Sequence, residues 1–426
     1  MQKHLVHLLL IFAICYFGFN LWQMGTSRVR GNDFAHYYAS SRIWLEGKET
    51  VYDADFAAFY EANDMLPATE EQLVSQATNP PGLILLFAPF ATLSPDAAFL
   101  AWNAVQVACL IGCALLTWTL LKQRLNPNTF KVIVALLLLS QIVTRHFYYS
   151  QVQLLLFLLV LVAFYLSQQE RHRLACGLIC LATLTKLFPG FLLPWFIWQA
   201  RTPAQKLRLG IFSGSLLTLG VMMTDLSLWQ TFLSKATAEI SVWSAANTSL
   251  TISSLFTKIG IFAFDSQSTW FNKELGMMSS LVLAAFLYGY ALLNCRDKYI
   301  QFSLLIIGML ICGPTCWLHY LVFALFPISV ASESIRDKIT VLQMATIAFL
   351  FLSLNHFFMT SFQSLLVLFL FKYAPLGAML FVLGLLIYKN VKLTSRIATD
   401  YTFESSADSP SDNVIRETPG TRPLTV

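Results

Sequence analysis

Apolar runs of about 17 to 22 residues, parted by short polar hinges, recur along most of the chain. A helix of that length crosses the hydrocarbon of a bilayer, so the pattern predicts a polytopic helical membrane protein. The first run goes from about Leu5 to Met24, behind Lys3. It is too long for a signal-peptide core and no small-x-small cleavage site follows, which predicts an uncleaved membrane helix. Further crossings are predicted at Ala97–Leu121, Thr129–Arg145, Gln151–Ser167, Leu207–Thr224, Met277–Asn294, Ile300–Cys312, Cys316–Ala331, Ile339–His356 and Pro375–Tyr388. Leu83–Leu93 is too short to cross and reads as re-entrant or interfacial. Leu174–Thr185 and Phe188–Gln199 read as two short helices joined at Lys186-Leu187-Phe188-Pro189-Gly190, and Phe362–Phe371 as a further half-helix. The sum is about twelve crossings.

Two long polar stretches break this rhythm, residues 25–80 and 225–276. Within the first, Phe34–Leu45 has helical spacing, with Phe34, Tyr37, Tyr38, Trp44 and Leu45 on one side and Gly47 as a stop. Such aromatic content suits a helix in the membrane interface, with His36 on its wetter side. A second amphipathic piece runs from about Asp55 to Met65, and Asn79-Pro80-Pro81-Gly82 makes a rigid re-entry into apolar sequence. The predicted fold class is therefore all-α: one integral membrane domain over residues 1–393, with interfacial helices in its first outer loop. Residues 394–426 are rich in Ser, Thr, Asp and Pro and predict a disordered cytoplasmic tail.

Charge fixes the orientation. Only 12% of the residues are charged, against about 25% in a soluble domain. With the N-terminus inside, the inner hinges carry Lys122/Arg124/Lys131, Arg171/Arg173, Arg201/Lys206/Arg208, Arg296/Lys298, Arg336/Lys338 and Lys389/Lys392/Arg396. That is the positive-inside pattern, and it assigns the acidic 25–80 loop to the outer face of the plasma (inner) membrane. The basic groups sit at span ends, so the net charge of +5 does not point to nucleic acid. Three cysteine pairs at i,i+4 spacing, Cys109/Cys113, Cys176/Cys180 and Cys312/Cys316, rarely meet disulfide geometry on one helix and read as small packing residues.

Ionisable groups near membrane depth are costly, which makes each a functional candidate. Asp33 opens the Phe34–Leu45 helix; it is either an acid favoured by the helix dipole or a general base for a hydroxyl. Lys186 interrupts an apolar run; it is either a snorkelling lysine or a cation for a phosphate. Arg145 anchors a helix end or adds a second phosphate ligand, and Gln151 is polar enough to bond a sugar hydroxyl. His319, in Trp317-Leu318-His319-Tyr320, falls on the same outer face as Asp33. No Gly-rich nucleotide loop, metal-spaced cluster or nucleophilic serine motif is present, so an enzyme here would take an activated donor from the membrane.

Gly31-Asn32-Asp33-Phe34-x-x-Tyr37-x-Ala39, Trp44-Leu45-Glu46-Gly47, Val51-Tyr52-Asp53, Asn79-Pro80-Pro81 and Phe87-Ala88-Pro89 resemble the glycosyltransferase family 87 membrane proteins. Ser150-Gln151-Val152-Gln153 is similar to that family's Gly-Gln-x-Asn element, and Gly177 through Pro189 to its Gly-rich helix ending in Lys-x-x-Pro. Asn247-Thr248-Ser249-Leu250 is similar to its Asn-Gln-Ser-Leu loop, and Trp317-Leu318-His319-Tyr320 to its Trp-x-His segment. Ser150, Gln153 and Asn79 depart from its Gly, Asn and Tyr. The resemblance implies a GT-C-type bundle that moves a hexose, mannose above all, from a polyprenyl-phosphate donor to a lipid or glycan hydroxyl with inversion. Asp33 would be the base; Lys186, with Arg145 or His319, would hold the donor phosphate; Tyr37, Asn79, Gln151 and Asn247 would contact sugar or acceptor. No metal and no cofactor is implied. The rival reading is a polytopic transporter or a lipid-linked-sugar flippase, since broken helices with buried charge also mark carrier sites.

Overall fold

The computed structural model describes residues 2–26, 32–47, 51–63, 65, 79–245, 249–256, 269–313, 315–334, 375–392 and 394. Asn247, the predicted spans Ile339–His356 and Phe362–Phe371, and the tail beyond 394 lie outside the described residues. Among the described residues all regular structure is helical. Five helices among the described residues are long and apolar enough to cross a membrane: His4–Gly25, Pro95–Leu121, Pro203–Met223, Glu274–Asn294 and Pro375–Lys392.

The order begins with α1 (Gln2–Thr26), α2 (Asn32–Leu45) and α3 (Phe56–Ala62). Next come α4 (Pro81–Ala91), α5 (Pro95–Leu121), α6 (Pro127–Leu139) and α7 (Gln141–Tyr149). The predicted single span Thr129–Arg145 is in fact α6 and α7, bent by 49°. Ser140 sits at the bend in extended backbone, and its Oγ donates to the Leu137 carbonyl at 2.6 Å. A serine that bonds the preceding turn gives the chain an alternative to continued helix. Then follow α8 (Gln153–Gln168), α9 (His172–Thr185), a 3₁₀ turn (Phe188–Leu192), α10 (Leu193–Trp198), α11 (Pro203–Met223), α12 (Leu226–Ala245) and α13 (Thr269–Asn294). The chain continues with α14 (Lys298–Cys312), a 3₁₀ turn (Leu318–Ala324), α15 (Leu325–Ala331) and α16 (Pro375–Lys392).

The core sits around α14, which is buried at every residue from Phe302 to Ile311. A helix apolar all round belongs at the centre of a bundle. Phe302 stacks on Phe164 of α8 at 4.2 Å, and Trp195 and Phe326 close the same aromatic cluster. The outer helices expose their apolar faces, as Leu8, Phe12, Phe19 and Trp22 do on α1, in keeping with a lipid solvent.

One expectation is refined and one corrected. His36 is less buried than the α2 residues on either side of it but is partly covered by α3: its Nδ1 lies 3.2 Å from the Tyr60 hydroxyl and its ring 5.3 Å from Phe56. The α3 segment folds back over α2, which a single helical wheel cannot register. Cys312 and Cys316 do not share a helix face, because α14 ends at Cys312.

One end of the bundle is closed by charge. Arg124, beyond the C-terminus of α5, pairs with Asp297, the N-cap of α14, and with Glu333 at 3.0 Å. Glu333 also pairs with Lys389 of α16. The site described next lies at the opposite ends of α5 and α14.

Candidate functional site

Asp33 stands in the first turn of α2, and Tyr37 one turn later on the same face. The helix is held on α4 by Ser41 Oγ to the Ile84 carbonyl (2.9 Å), Tyr38 Oη to the Leu93 carbonyl (2.8 Å) and Arg42 to the Ala91 carbonyl (3.1 Å). The two ends of α2 thus have different tasks: one docks the helix, the other carries the acid.

The second component is the turn that ends α7. Ser150 takes a left-handed conformation (φ 52°, ψ 51°), and the Gln151 N–H returns to the His146 carbonyl at 3.0 Å. This is a helix-ending geometry that glycine adopts most readily, and it falls where the resembling motif has Gly. Ser150 is fixed there by Trp102, whose Nε1 donates to the Ser150 carbonyl at 2.8 Å, and by its own hydroxyl, which donates to the Phe147 carbonyl at 3.1 Å. The turn drives Gln151 into the interior, 2% exposed. There its Oε1 accepts from the Tyr37 hydroxyl at 3.0 Å, one helical turn along α2 from Asp33.

Lys186 is the third component. It follows α9 with extended backbone (φ −148°, ψ 136°) while its N–H still bonds the Ala182 carbonyl at 2.9 Å. The side chain leaves the helix there, half-buried, with Nζ 5.6 Å from the centre of the Tyr320 ring. A close approach sets this corner: a Cβ on Gly82 of α4 would lie 2.3 Å from the Leu184 carbonyl oxygen. Only glycine lets the start of α4 lie on the last turn of α9. Asn79, just before, accepts from the Tyr52 hydroxyl through its carbonyl at 2.7 Å.

The charges meet here. Lys186 acts electrostatically on both Asp33 and His319. His319 is buried, with its ring 5.9 Å from Tyr149, and the Tyr149 hydroxyl accepts from Arg145 at 3.2 Å. Asp33, Tyr37, Gln151, Lys186 and His319 are therefore gathered in one place, with Arg145 joined through Tyr149. The 249–251 segment reaches the same region: the Leu250 N–H donates to the Cys316 carbonyl at 2.7 Å.

Burial pushes the Asp33 carboxyl up from 3.8 to about 6, against the opposing pull of Lys186 and Gln151. Burial holds the His36 imidazole down at about 4, so it is neutral at pH 7. A carboxylate with a raised value is a better proton acceptor than an ordinary one and is still mostly ionised at neutral pH. Reading residues one at a time misses Tyr60, Trp102 and Gly82. Of these only Gly82 carried a signal, as the end of the Pro80-Pro81-Gly82 re-entry.

A helical membrane protein that gathers a carboxylate, an ammonium and a set of amide and phenol groups at one end of its bundle has the parts of a membrane transferase. Residues 77–318 match glycosyltransferase family 87, more than half of the chain, and the chain belongs to that family. It is thus a membrane glycosyltransferase, whose substrates are a sugar donor and an acceptor. The matched stretch contains Asn79, Arg145, Gln151, Lys186 and Asn247; Asp33, Tyr37 and His319 lie outside it. No curated protein matches the chain.

Proposed function

We propose that this protein moves a hexose, mannose above all, from a polyprenyl-phosphate donor to a hydroxyl of a lipid or glycan acceptor on the outer face of the plasma membrane. The bundle is of GT-C type with about twelve crossings and both termini in the cytoplasm. The observation that carries the reading is the electrostatic meeting of Asp33 and Lys186, brought together from distant parts of the chain.

The acceptor oxygen attacks the anomeric carbon opposite the phosphate, and the C–O bond to phosphate breaks with inversion. Asp33 takes the acceptor's proton as that bond forms. The electron pair leaves with the lipid phosphate, and Lys186, aided by Arg145 and His319, stabilises the growing charge. Tyr37, Asn79 and Asn247 contact sugar or acceptor. The basic hinges that put Lys122, Arg124 and Lys389 inside support the outer placement, because these residues gather at the opposite end from Asp33.

The test is transfer of labelled hexose from polyprenyl phosphate in membranes. Asp33→Asn is expected to lower the rate by about 10²- to 10⁴-fold, and Lys186→Met to weaken donor use. Transfer that survives Asp33→Asn would refute the base. Solute uptake by vesicles without transfer from any lipid donor would favour the carrier.

A further inference from the structure

At the end of the bundle that holds Asp33, Arg145 and Lys186 are half-buried, and neither makes an ion pair among the described residues. Other half-buried cations there do: Arg42 has Glu46 and Lys235 has Asp53. A cation in a membrane setting without its own carboxylate is a place for an anion to arrive. A chain of contacts joins the two. The Arg145 guanidinium donates to the Tyr149 hydroxyl at 3.2 Å. The Tyr149 ring meets His319 edge-on at 5.9 Å, His319 lies 5.0 Å from Tyr320, and the Lys186 Nζ lies 5.6 Å from the centre of the Tyr320 ring. The left-handed Ser150 ends α7 directly after Tyr149, and α7 packs on the 3₁₀ turn that bears His319. A phenol both accepts and donates. The acceptor side of Tyr149 is taken by Arg145, and its hydrogen goes to no acceptor among the described residues. Tyr149 is half-buried, so that hydrogen is within reach of a ligand.

We propose that Tyr149 is a ligand of the donor phosphate: its hydroxyl, held by Arg145, donates a hydrogen bond to a phosphate oxygen that Lys186 approaches from the other side. This rests on the reading of the donor as a lipid-linked phosphate sugar. The hydroxyl keeps its proton throughout, and no bond to Tyr149 forms or breaks. Acceptance from a guanidinium polarises the phenol, so the O–H is a stronger donor toward an anion than a lone tyrosine would be. Arg145 then serves the phosphate through Tyr149, and the ring of Tyr149 sets where His319 stands beside them. A tyrosine that only tied the last turn of α7 to Arg145 would do so with its oxygen alone and would have no use for the hydrogen.

The experiment measures binding of farnesyl phosphate and of farnesol, which has the same chain and no phosphate, to the full chain in detergent. The variants are Tyr149→Phe, which removes the hydroxyl and keeps the ring, Arg145→Met, and the two together. Loss of one hydrogen bond to a charged group weakens farnesyl phosphate binding by about 10- to 100-fold in Tyr149→Phe, while farnesol binding changes less than about twofold. The double variant loses less than the product of the two single losses, because both side chains serve one phosphate. Unchanged farnesyl phosphate binding in Tyr149→Phe, or an equal loss for both probes, overturns the proposal. If Arg145→Met does not fold, Tyr149→Phe decides alone. Inorganic phosphate that displaces farnesyl phosphate at equal concentration would make this a free-anion site and overturn the assignment to the donor. In the transfer assay Tyr149→Phe lowers kcat/KM for the labelled donor by a similar factor and leaves the acid limb of the pH profile, set by Asp33, where it is; a moved limb would place the hydroxyl at the base and overturn the proposal. Wild type that binds farnesyl phosphate no better than farnesol overturns the lipid-phosphate donor and this proposal together. Preference for the phosphate that survives intact in Tyr149→Phe overturns this proposal alone.

Discussion

Leu184 is approached by two glycines, and the contrast between them tests how the site is held. A methyl added at Gly82 would lie 2.3 Å from the Leu184 carbonyl oxygen and 2.7 Å from its carbonyl carbon. One added at Gly220, on α11, would lie 2.2 Å from Leu184 Cδ1. The distances are nearly equal, but the obstacles are not. A Cδ1 atom ends a flexible side chain and moves by changing rotamer. A carbonyl belongs to the last turn of α9, two residues before Lys186, and moves only with that turn. Restoring ordinary contact, 3.4 Å or more, at Gly82 requires a shift of about 1 Å between α4 and α9. Overpacking of this kind costs about 1 to 3 kcal/mol, and a 1 Å misplacement of a reacting group costs about 10²-fold in rate. Gly82→Ala is thus expected to lower kcat by about 10²-fold, and Gly220→Ala by less than about threefold, with comparable yields of folded protein. The assay is hexose transfer in membranes, with melting in detergent to separate folding from rate. Gly220→Ala losing as much activity as Gly82→Ala would refute the view that backbone contact at Leu184 sets the position of Lys186.

Two further predictions concern stability. Asp33 has a folded-state value of about 6 against an ordinary 3.8, so the folded protein binds this proton more tightly than the unfolded chain. The group therefore costs stability as pH rises from about 4 to about 6, and the cost persists above that range. Asp33→Asn is expected to be more stable than wild type at pH 7 by about 1 to 2 kcal/mol, discounted for partial exposure, and equal to it near pH 4. Melting in detergent at the two pH values checks this, and a less stable Asp33→Asn at pH 7 contradicts it. At the other end of the bundle, Glu333→Gln leaves Lys389 without its carboxylate and is expected to destabilise by about 3 kcal/mol. Its transfer kinetics below the melting temperature should match wild type; a changed acid limb would show that the two ends are coupled.

The bundle's apolar periodicity was legible because lipid-facing and core-facing residues alike must be apolar in a spanning helix. The broken helix at Lys186 was legible for a related reason: a lysine and a proline interrupt a run that has no other use for them. What the pattern hides is any contact between elements. Nothing in Ser140 marks it as a bend instead of a small residue inside a span. The covering of His36 by Phe56 and Tyr60 depends on how α3 folds back, which no period records. Gln151 illustrates the limit: its polarity in an apolar setting marked it as a candidate, but nothing in the pattern tied it to α2. Its bond to Tyr37 becomes visible only when α2 and the turn after α7 are placed together.

The two charged ends of the bundle use the same residue types for opposite purposes. Arg124, Lys389, Asp297 and Glu333 pair in direct contact, and equal numbers of each sign cancel across α5, α14 and α16. Such a cluster holds helices together and leaves no charge for a substrate. Asp33 and Lys186 act on each other electrostatically without forming an ion pair of that kind. Direct pairing would hold the carboxyl below its ordinary value and make it a poor base; separation leaves burial as the larger influence and the value at about 6. Separation is also what the proposed inverting displacement requires, because its base and its leaving phosphate stand on opposite sides of the sugar. The matched family stretch carries the cation, while the acid lies before it. On the proposed mechanism the site forms only when α2 is docked on α4, and α2 then belongs to the reaction centre and is not a connection between spans.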